Sequence, residues 1–319
     1  MKLTEGDISE ENVGELHDVY KQGVVKHSYL NPINLYLRKS FLGWKIKILK
    51  IRDQGYIAFI NQRSFFNTFL FPGIFNNLDL YDKLYLIVKN KKFSYMYISN
   101  IIHFYIDSQK VLNVYNQIFN GLSRESFIDV IYDNNVKRNK QTRHRININL
   151  KKAKEKNVRI YLLQQLNADL FKEWYNNCYL YTYDNKPPFP YSKLYSYTEG
   201  LLRNNLQKFI IAKVDDKVVG GIAILMDEYS NIAWYNLGAI CKEGRESGAG
   251  YLLTDTAIKL VSEQNKILEL YGKSVSDHDP KHENIFNFKK VFGREIEIPY
   301  FSYINPLLNS IIKLIRKIR

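Results

Sequence analysis

The 319-residue sequence predicts an α/β protein built from two similar units and closed by a basic amphipathic helix. Three observations carry this. Strand-like and helix-like stretches alternate along the chain. A hairpin plan occurs twice, as residues 44–51 and 56–60 around Asp53-Gln54-Gly55, and as 209–214 and 218–225 around Asp215-Asp216-Lys217. The second hairpin then runs into a strand (231–238), a glycine-bearing loop (242–250) and a helix (251–263). The expected boundaries are 1–125 for the first unit, 126–305 for the second and 306–319 for the terminal helix.

The elements follow in order. Residues 9–22 form a helix, with Ser9 as N-cap, Glu10 and Glu11 in the first turn, and Val13, Leu16 and Tyr20 on one face. Asn12 stands where a capping box takes Glu or Gln, so no box is expected. A strand over 69–71 ends at Pro72-Gly73, residues 79–90 are an amphipathic helix, and 93–98 and 101–106 are short strands. Residues 113–130 lead into a helix bridging both units. Residues 136–157 form a basic helix and 159–163 a strand. A helix over 168–181 turns Leu170, Phe171, Trp174 and Tyr175 inward. Three prolines make 183–191 a loop, and its aromatics, Tyr191 included, suit an acceptor pocket. A further helix spans 191–204.

A hydrophobic content of 45% with 25 tyrosines and 18 phenylalanines fits a packed globular protein. Two cysteines, Cys178 and Cys241, exclude a disulfide framework and a cysteine-based zinc site. The opening Met1-Lys-Leu-Thr has no apolar signal region and no apolar run reaches membrane-spanning length, so a cytoplasmic location is expected. The net charge of +14 concentrates at 137–156 and at the C-terminus. It calls for an anionic partner: a diphosphate-bearing substrate, an anionic membrane surface or a nucleic acid, although no nucleic-acid fold signature is present.

The loop Lys242-Glu-Gly-Arg245-Glu-Ser-Gly248-Ala-Gly250 places glycines and an arginine ahead of a helix N-terminus, an arrangement suited to a phosphate. Arg245-x-x-Gly248-x-Gly250, after a strand and before a helix, resembles the diphosphate loop of GNAT acyltransferases. Further on, Tyr271-Gly272 and Phe288-Lys289-Lys290-Val-Phe292-Gly293 are similar to the C-terminal end of Fem-type transferases, as is the basic segment from Arg143 to Val158 through its N-x-x-K-A core. The likeness is fair over about residues 125–305 and topological before that. It implies two tandem GNAT-like domains with mixed sheets, and an enzyme that acylates peptidoglycan or other envelope precursors. It also implies acetyl-CoA or another acyl-CoA as donor, held by Arg245, Gly248, Ala249, Gly250 and the main chain of Leu237 and Ala239. Aminoacyl-tRNA-dependent members generally lack the diphosphate loop, so acyl-CoA is favoured here and aminoacyl-tRNA is the alternative. A third reading is a non-catalytic protein with a degenerate core that binds membrane or nucleic acid.

No G-x-S-x-G elbow is present, so direct attack on the thioester is expected. In the resembled motif Lys289 belongs to the transferase site, steadying an oxyanion or a phosphate; the alternative for Lys289-Lys290 is a solvated helix face. His278 between Asp277 and Asp279 is a candidate base at the cleft edge, alongside Asp277 and Tyr235. Arg143, Arg145 and Lys152 are candidates for clamping the diphosphate of a nucleotide- or lipid-linked sugar, or simply a solvated basic helix. No metal is expected.

Residues 307–319 carry seven large aliphatics and four cations at helical spacing. Each cation contributes about 1 kcal/mol near an anionic leaflet, which is enough for weak, salt-sensitive binding. The full chain is expected to sediment with anionic liposomes at low salt and to lose this on deletion of 307–319. If the truncated protein is insoluble, the segment is a core element instead.

Overall fold

The computed structural model describes residues 4–23, 26–51, 54–61, 68–70, 74–75, 95–98, 123–134, 136–275 and 277–304. The expected helix over 79–90, the strand over 101–106 and the terminal helix over 307–319 lie outside them.

The first half contains β1 (Thr4–Asp7), α1 (Glu10–Gln22), α2 (Pro32–Leu42), β2 (Lys45–Lys50), β3 (Gly55–Asn61), β4 (Thr68–Leu70), β5 (Ile74–Phe75) and β6 (Tyr95–Ile98). After it comes β7 (Ser123–Tyr132). The second half contains α3 (Lys140–Glu155), β8 (Arg159–Leu163), α4 (Ala168–Trp174), α5 (Tyr191–Arg203), β9 (Gln207–Val214), β10 (Lys217–Leu225) and β11 (Ile232–Ile240). It continues with α6 (Lys242–Glu246), α7 (Ala249–Ser262), β12 (Ile267–Glu269), β13 (Lys273–Ser274), α8 (Pro280–Lys290) and β14 (Arg294–Ile304). A π turn at Tyr175–Tyr179 prolongs α4.

The strands form one mixed sheet in the order β1-β2-β3-β4-β6-β14-β7-β12-β11-β10-β9-β8. The two halves repeat one plan. In each, four antiparallel strands end beside a parallel fifth, β4 beside β6 and β11 beside β12. In each, two helices separate the first strand from the second. The chain is thus α/β with two units of one plan, as the repeated hairpin foretells. The units are fused through their sheets: β14 pairs with β7 from Arg294↔Ile131 to Ser302↔Ser123 and, further along, with β6.

Three local expectations are corrected. Residues 123–132 are a strand and not a helical bridge, because Ile128, Val130 and Ile131 are β-branched and fit a half-buried pleat. A capping box does form at α1, with Asn12 in place of Glu: its side-chain oxygen accepts from the Ser9 amide at 2.9 Å. Within the expected loop 242–250, the first residues wind into the short helix α6.

The second half has the denser core. β9 and β10 are apolar on both faces, covered by α4, α5 and α7. Trp174, fully buried, packs tilted against Phe171 and Tyr179 and edge-on to Phe209. The segment between α1 and α2 binds the halves together. Ser28 donates to the carbonyls of Leu225 and Ile232, and Tyr29 meets the Trp234 ring edge-on at 4.3 Å. Tyr20 donates to Asp227 at 2.8 Å.

Beyond β12 the chain grazes β7. A Cβ at Gly272 would stand 1.6 Å from the Ile128 carbonyl oxygen. Gly272→Ala should therefore cost about 3 kcal/mol in urea unfolding. Gly14→Ala, in the exposed part of α1 with open space around it, should gain about 1 kcal/mol. Equal effects from the two would contradict this packing.

Candidate active site

β11 and β12 pair in parallel only through Ile232↔Ile267, Ala233↔Leu268 and Trp234↔Glu269. β11 then runs on to Ile240, while β12 stops at Glu269 and Tyr271 turns away with φ 62°. On the opposite edge of β11 the register slips, with Ala223 facing Leu237 and Ile224 facing Tyr235. Asn236 is the extra residue of a β-bulge at that point. Among the described residues, no strand pairs with the β12-facing edge of β11 beyond Trp234. The result is a notch walled by main-chain groups of residues 235–240.

Lys289, on α8, lies in this notch. Its Nζ donates to the Tyr271 carbonyl at 3.2 Å and stands 5.1 Å from the centre of the Tyr235 ring and 5.8 Å from that of Tyr271. The two lysines diverge: Lys289 turns to the Tyr271 carbonyl and the Tyr235 ring, while Lys290 pairs with Glu295 at 2.8 Å. Phe288 and Phe292 pack on Tyr251 at the start of α7, which ties α8 to that helix.

A buried acidic pair stands behind Lys289. Asp129 of β7 and Glu269 of β12 are hydrogen-bonded through their side chains, and both are almost fully buried. His27, from the first half, sets Nε2 2.7 Å from Glu269 Oε2. Burial moves every one of these groups. It holds the Asp129 carboxyl well above the carboxylate range, with the neighbouring Glu269 adding to the shift. It raises Glu269 to about 7 and lowers His27 to about 4. It lowers Lys289 to about 8, against the pull of Asp129 and Glu269.

A second buried network reaches the bulge from the first half. Arg38, on α2, lies 4.5 Å from the Tyr29 ring centre and 4.4 Å from that of Trp44. It donates to Asn34 and, at 2.9 Å, to the Asn236 side chain. Asn236 in turn donates to Gln207 at 2.9 Å. The irregular residue of β11 is thus anchored on both sides.

The other candidates fall in several places. Tyr235 lies beside Lys289, and burial keeps its phenol above the ordinary range, so its O–H stays neutral. Asp277 is turned to His282 at 2.7 Å and accepts from the Asp279 amide, which holds its carboxyl below the usual range. Asp279 caps α8 through the Lys281 amide. His278 is exposed, with both flanking carboxylates engaged elsewhere. Tyr191 donates to the Ala168 carbonyl at 3.4 Å and packs on Phe171 and Tyr175, in the aromatic core between α4 and α5. Ala239 accepts from the Trp174 indole, and Leu237 faces Ala223.

The glycine loop differs from its expected form. Ser247, Gly248, Ala249 and Gly250 are buried, and α3 crosses them. Gly248 has φ 80°, and a Cβ there would meet the Asn149 carbonyl oxygen of α3 at 2.5 Å. The glycine is required by helix packing as much as by backbone conformation. The amides of Arg245, Ser247 and Gly248 donate within the loop itself, to Cys241, Glu243 and Arg245. Arg245 stacks over Tyr181 at 5.3 Å. Arg145 donates to the Tyr251 hydroxyl at 2.9 Å, beside the start of α7, whereas Arg143 and Lys152 point to solvent. Among the described residues, no group of three or more His, Cys, Asp or Glu is placed to hold a metal.

No protein-family profile matches this sequence, and no curated protein sequence matches it. Solved structures do. FemX covers 98% of this chain, and this chain 99% of FemX, with a TM-score of 0.64 at 12% identity. The chain has the Fem-type fold. The same fold occurs in an Agrobacterium fabrum domain described as the C-terminal part of a lysylphosphatidylglycerol synthetase, with a TM-score of 0.63, 12% identity and coverage of 96% of this chain and 94% of that one. It occurs too in L-PGS of Bacillus licheniformis, with a TM-score of 0.62, 11% identity and coverage of 97% and 96%. In this Fem-type fold the notch lies in the second unit, with His27 and Arg38 reaching it from the first.

Asp129, Glu269 and His27 escape sequence reasoning. The first two had a readable signal, each being an acid flanked on both sides by apolar residues: Phe-Ile-Asp129-Val-Ile and Ile-Leu-Glu269-Leu. Their burial has a measurable consequence. Glu269 ionises near 4.5 when unfolded and near 7 when folded. Its contribution to stability is therefore complete below the first value and is lost as pH rises through the second. Relative to the wild type, Glu269→Gln should gain about 1 kcal/mol of unfolding free energy per pH unit between pH 5 and 7. A difference independent of pH would show that Glu269 is not shifted.

Proposed function

We propose that the chain transfers an acyl or aminoacyl group to an amine or hydroxyl of a cell-envelope precursor, with the reacting carbonyl in the notch beside Lys289. The observation that carries this is the free edge of β11 at its bulge, facing a cation. Main-chain N–H groups of residues 236–239 polarise the carbonyl of the donor. Lys289, with its pKa near 8, takes the acceptor's proton as the amine or steadies the oxyanion as the ammonium. Tyr235 supplies an O–H to the leaving group. Attack is direct, with no acyl-enzyme.

The buried glycine loop favours a donor whose phosphates are gripped outside it. Arg143, Lys151 and Lys152 are exposed on α3, and Arg145 reaches the start of α7. This exposed basic face of α3 fits the acceptor arm of an aminoacyl-tRNA. The second reading, acetyl-CoA or another acyl-CoA, rests on Arg245-x-x-Gly248-x-Gly250 and on the first-turn amides of α7, and it requires α3 to move aside. The acceptor fitting this charge is a nucleotide- or lipid-linked sugar or a peptidoglycan precursor, met at the inner membrane face. None of the helices among the described residues is long and apolar enough to cross a membrane.

Lys289→Met should lower kcat about 100-fold or more with little change in donor binding. The double variant Arg143→Glu with Lys152→Glu should weaken binding of charged tRNA and leave acetyl-CoA untouched. Titration of both donors into the wild type and the double variant checks this. Micromolar acetyl-CoA binding with none for tRNA would make acyl-CoA the donor.

A further inference from the structure

We propose that Asp129 and Glu269 work as one carboxyl pair sharing a single proton, that this pair sets the charge of Lys289, and that His27 decides which carboxyl is the anion. Its importance for catalysis rests on the transferase reading above. Its existence does not.

The geometry determines where each proton lies. The Tyr29 amide donates to His27 Nδ1 at 3.1 Å, so that nitrogen carries no proton. The ring proton of the neutral imidazole is therefore on Nε2 and is donated to Glu269 Oε2. Glu269 accepts there and is the better anion of the two. Asp129 Oδ1 accepts from the Val130 amide at 2.7 Å, leaving its other oxygen to meet Glu269. Two ionised carboxylates have no proton to hold such a bond and would repel each other in a buried site. Asp129 therefore carries the proton.

The sheet enforces the contact. Glu269 is directly opposite Ile131 on β7, and Asp129 is two residues along that strand, on the same face. Glu269 is also the last residue of β12 paired with β11, so its carboxylate sits at the apex of the notch. Above the Glu269 pKa of about 7 the charges then balance: the pair contributes minus one, Lys289 plus one and His27 none. One anion beside Lys289 opposes the desolvation that lowers its pKa. Among the described residues, the other charged groups acting on this cluster are Asp227, from the turn between β10 and β11, which acts on His27, and Lys266, which answers Asp227. Asp227 is itself held by Tyr20 and by the amides of Tyr229 and Ser230. The first half thus delivers a neutral imidazole to the second, and the imidazole biases a proton there.

The test needs no substrate. Intact protein is acetylated with acetic anhydride across a pH series, and Lys289 is read by peptide mass spectrometry against the exposed Lys242. Glu269→Gln removes the counter-charge and should lower the Lys289 inflection by about one pH unit or more. Asp129→Asn places a permanent amide donor against Glu269, fixes the anion and should leave the inflection unchanged or raise it. Shifts of the two variants in the same direction, or no shift in Glu269→Gln, would overturn the shared-proton pair. Nitrogen NMR of His27 in the wild type is independent of any variant's folding. It should show the Nε2-protonated tautomer from pH 5 to 8, and an imidazolium or the reverse tautomer would refute the assignment. If the cluster behaves as stated but no donor supports transfer, only the functional reading fails.

Discussion

The separation of β11 from β12 after the Trp234–Glu269 pair organises the rest of the molecule. Two parallel strands that stayed paired would satisfy each other's main chain and leave no site. The bulge at Asn236 turns the outer part of β11 out of register with β10, and β12 ends where β11 continues. Such an opening is costly unless its surroundings hold it. Here the holding groups are Arg38 and Gln207 on the Asn236 side chain, Lys289 on the Tyr271 carbonyl, and the Phe288–Tyr251–Phe292 cluster behind α8.

The halves are unequal partners in this. The second supplies the notch and its cation. The first supplies a buried guanidinium to the bulge and a neutral imidazole to the acidic pair. The β7–β14 pairing carries the sheet from one half to the other, so these reaching side chains meet a rigid target. A basic helix, α3, closes the glycine loop on the far side and leaves its cations exposed. Donor choice then turns on how much of that loop a diphosphate can reach.

The sequence revealed the architecture well wherever local patterning decides it. The repeated hairpin and, within a few residues of their expected bounds, the strand over 231–238, the helix over 251–263 and the basic helix over 136–157 are all present, because alternation, turn chemistry and capping act within a few residues. Lys289 stands out in the Phe-Lys-x-x-Phe-Gly segment, and the fold sets it on the Tyr271 carbonyl beside Tyr235. What remained hidden depends on contacts between distant strands. Asp129 and Glu269 are 140 positions apart in the sequence and meet only because β7 pairs with β12. His27 arrives from a segment with no pattern of its own. Gly248 illustrates the converse. Its sequence context reads as ligand approach, whereas its neighbour in space is the Asn149 carbonyl of a helix a hundred residues upstream.

Amide hydrogen exchange along β11 tests the central claim most directly, since that claim is that the unpaired edge of this strand receives the acyl end of the donor. Adding a charged tRNA acceptor stem, or acetyl-CoA if that is the donor, should slow exchange at residues 236–239. β9, which is paired on both sides, should stay unchanged. Tight binding of either donor with no protection at those residues would place the transfer chemistry elsewhere and contradict the account.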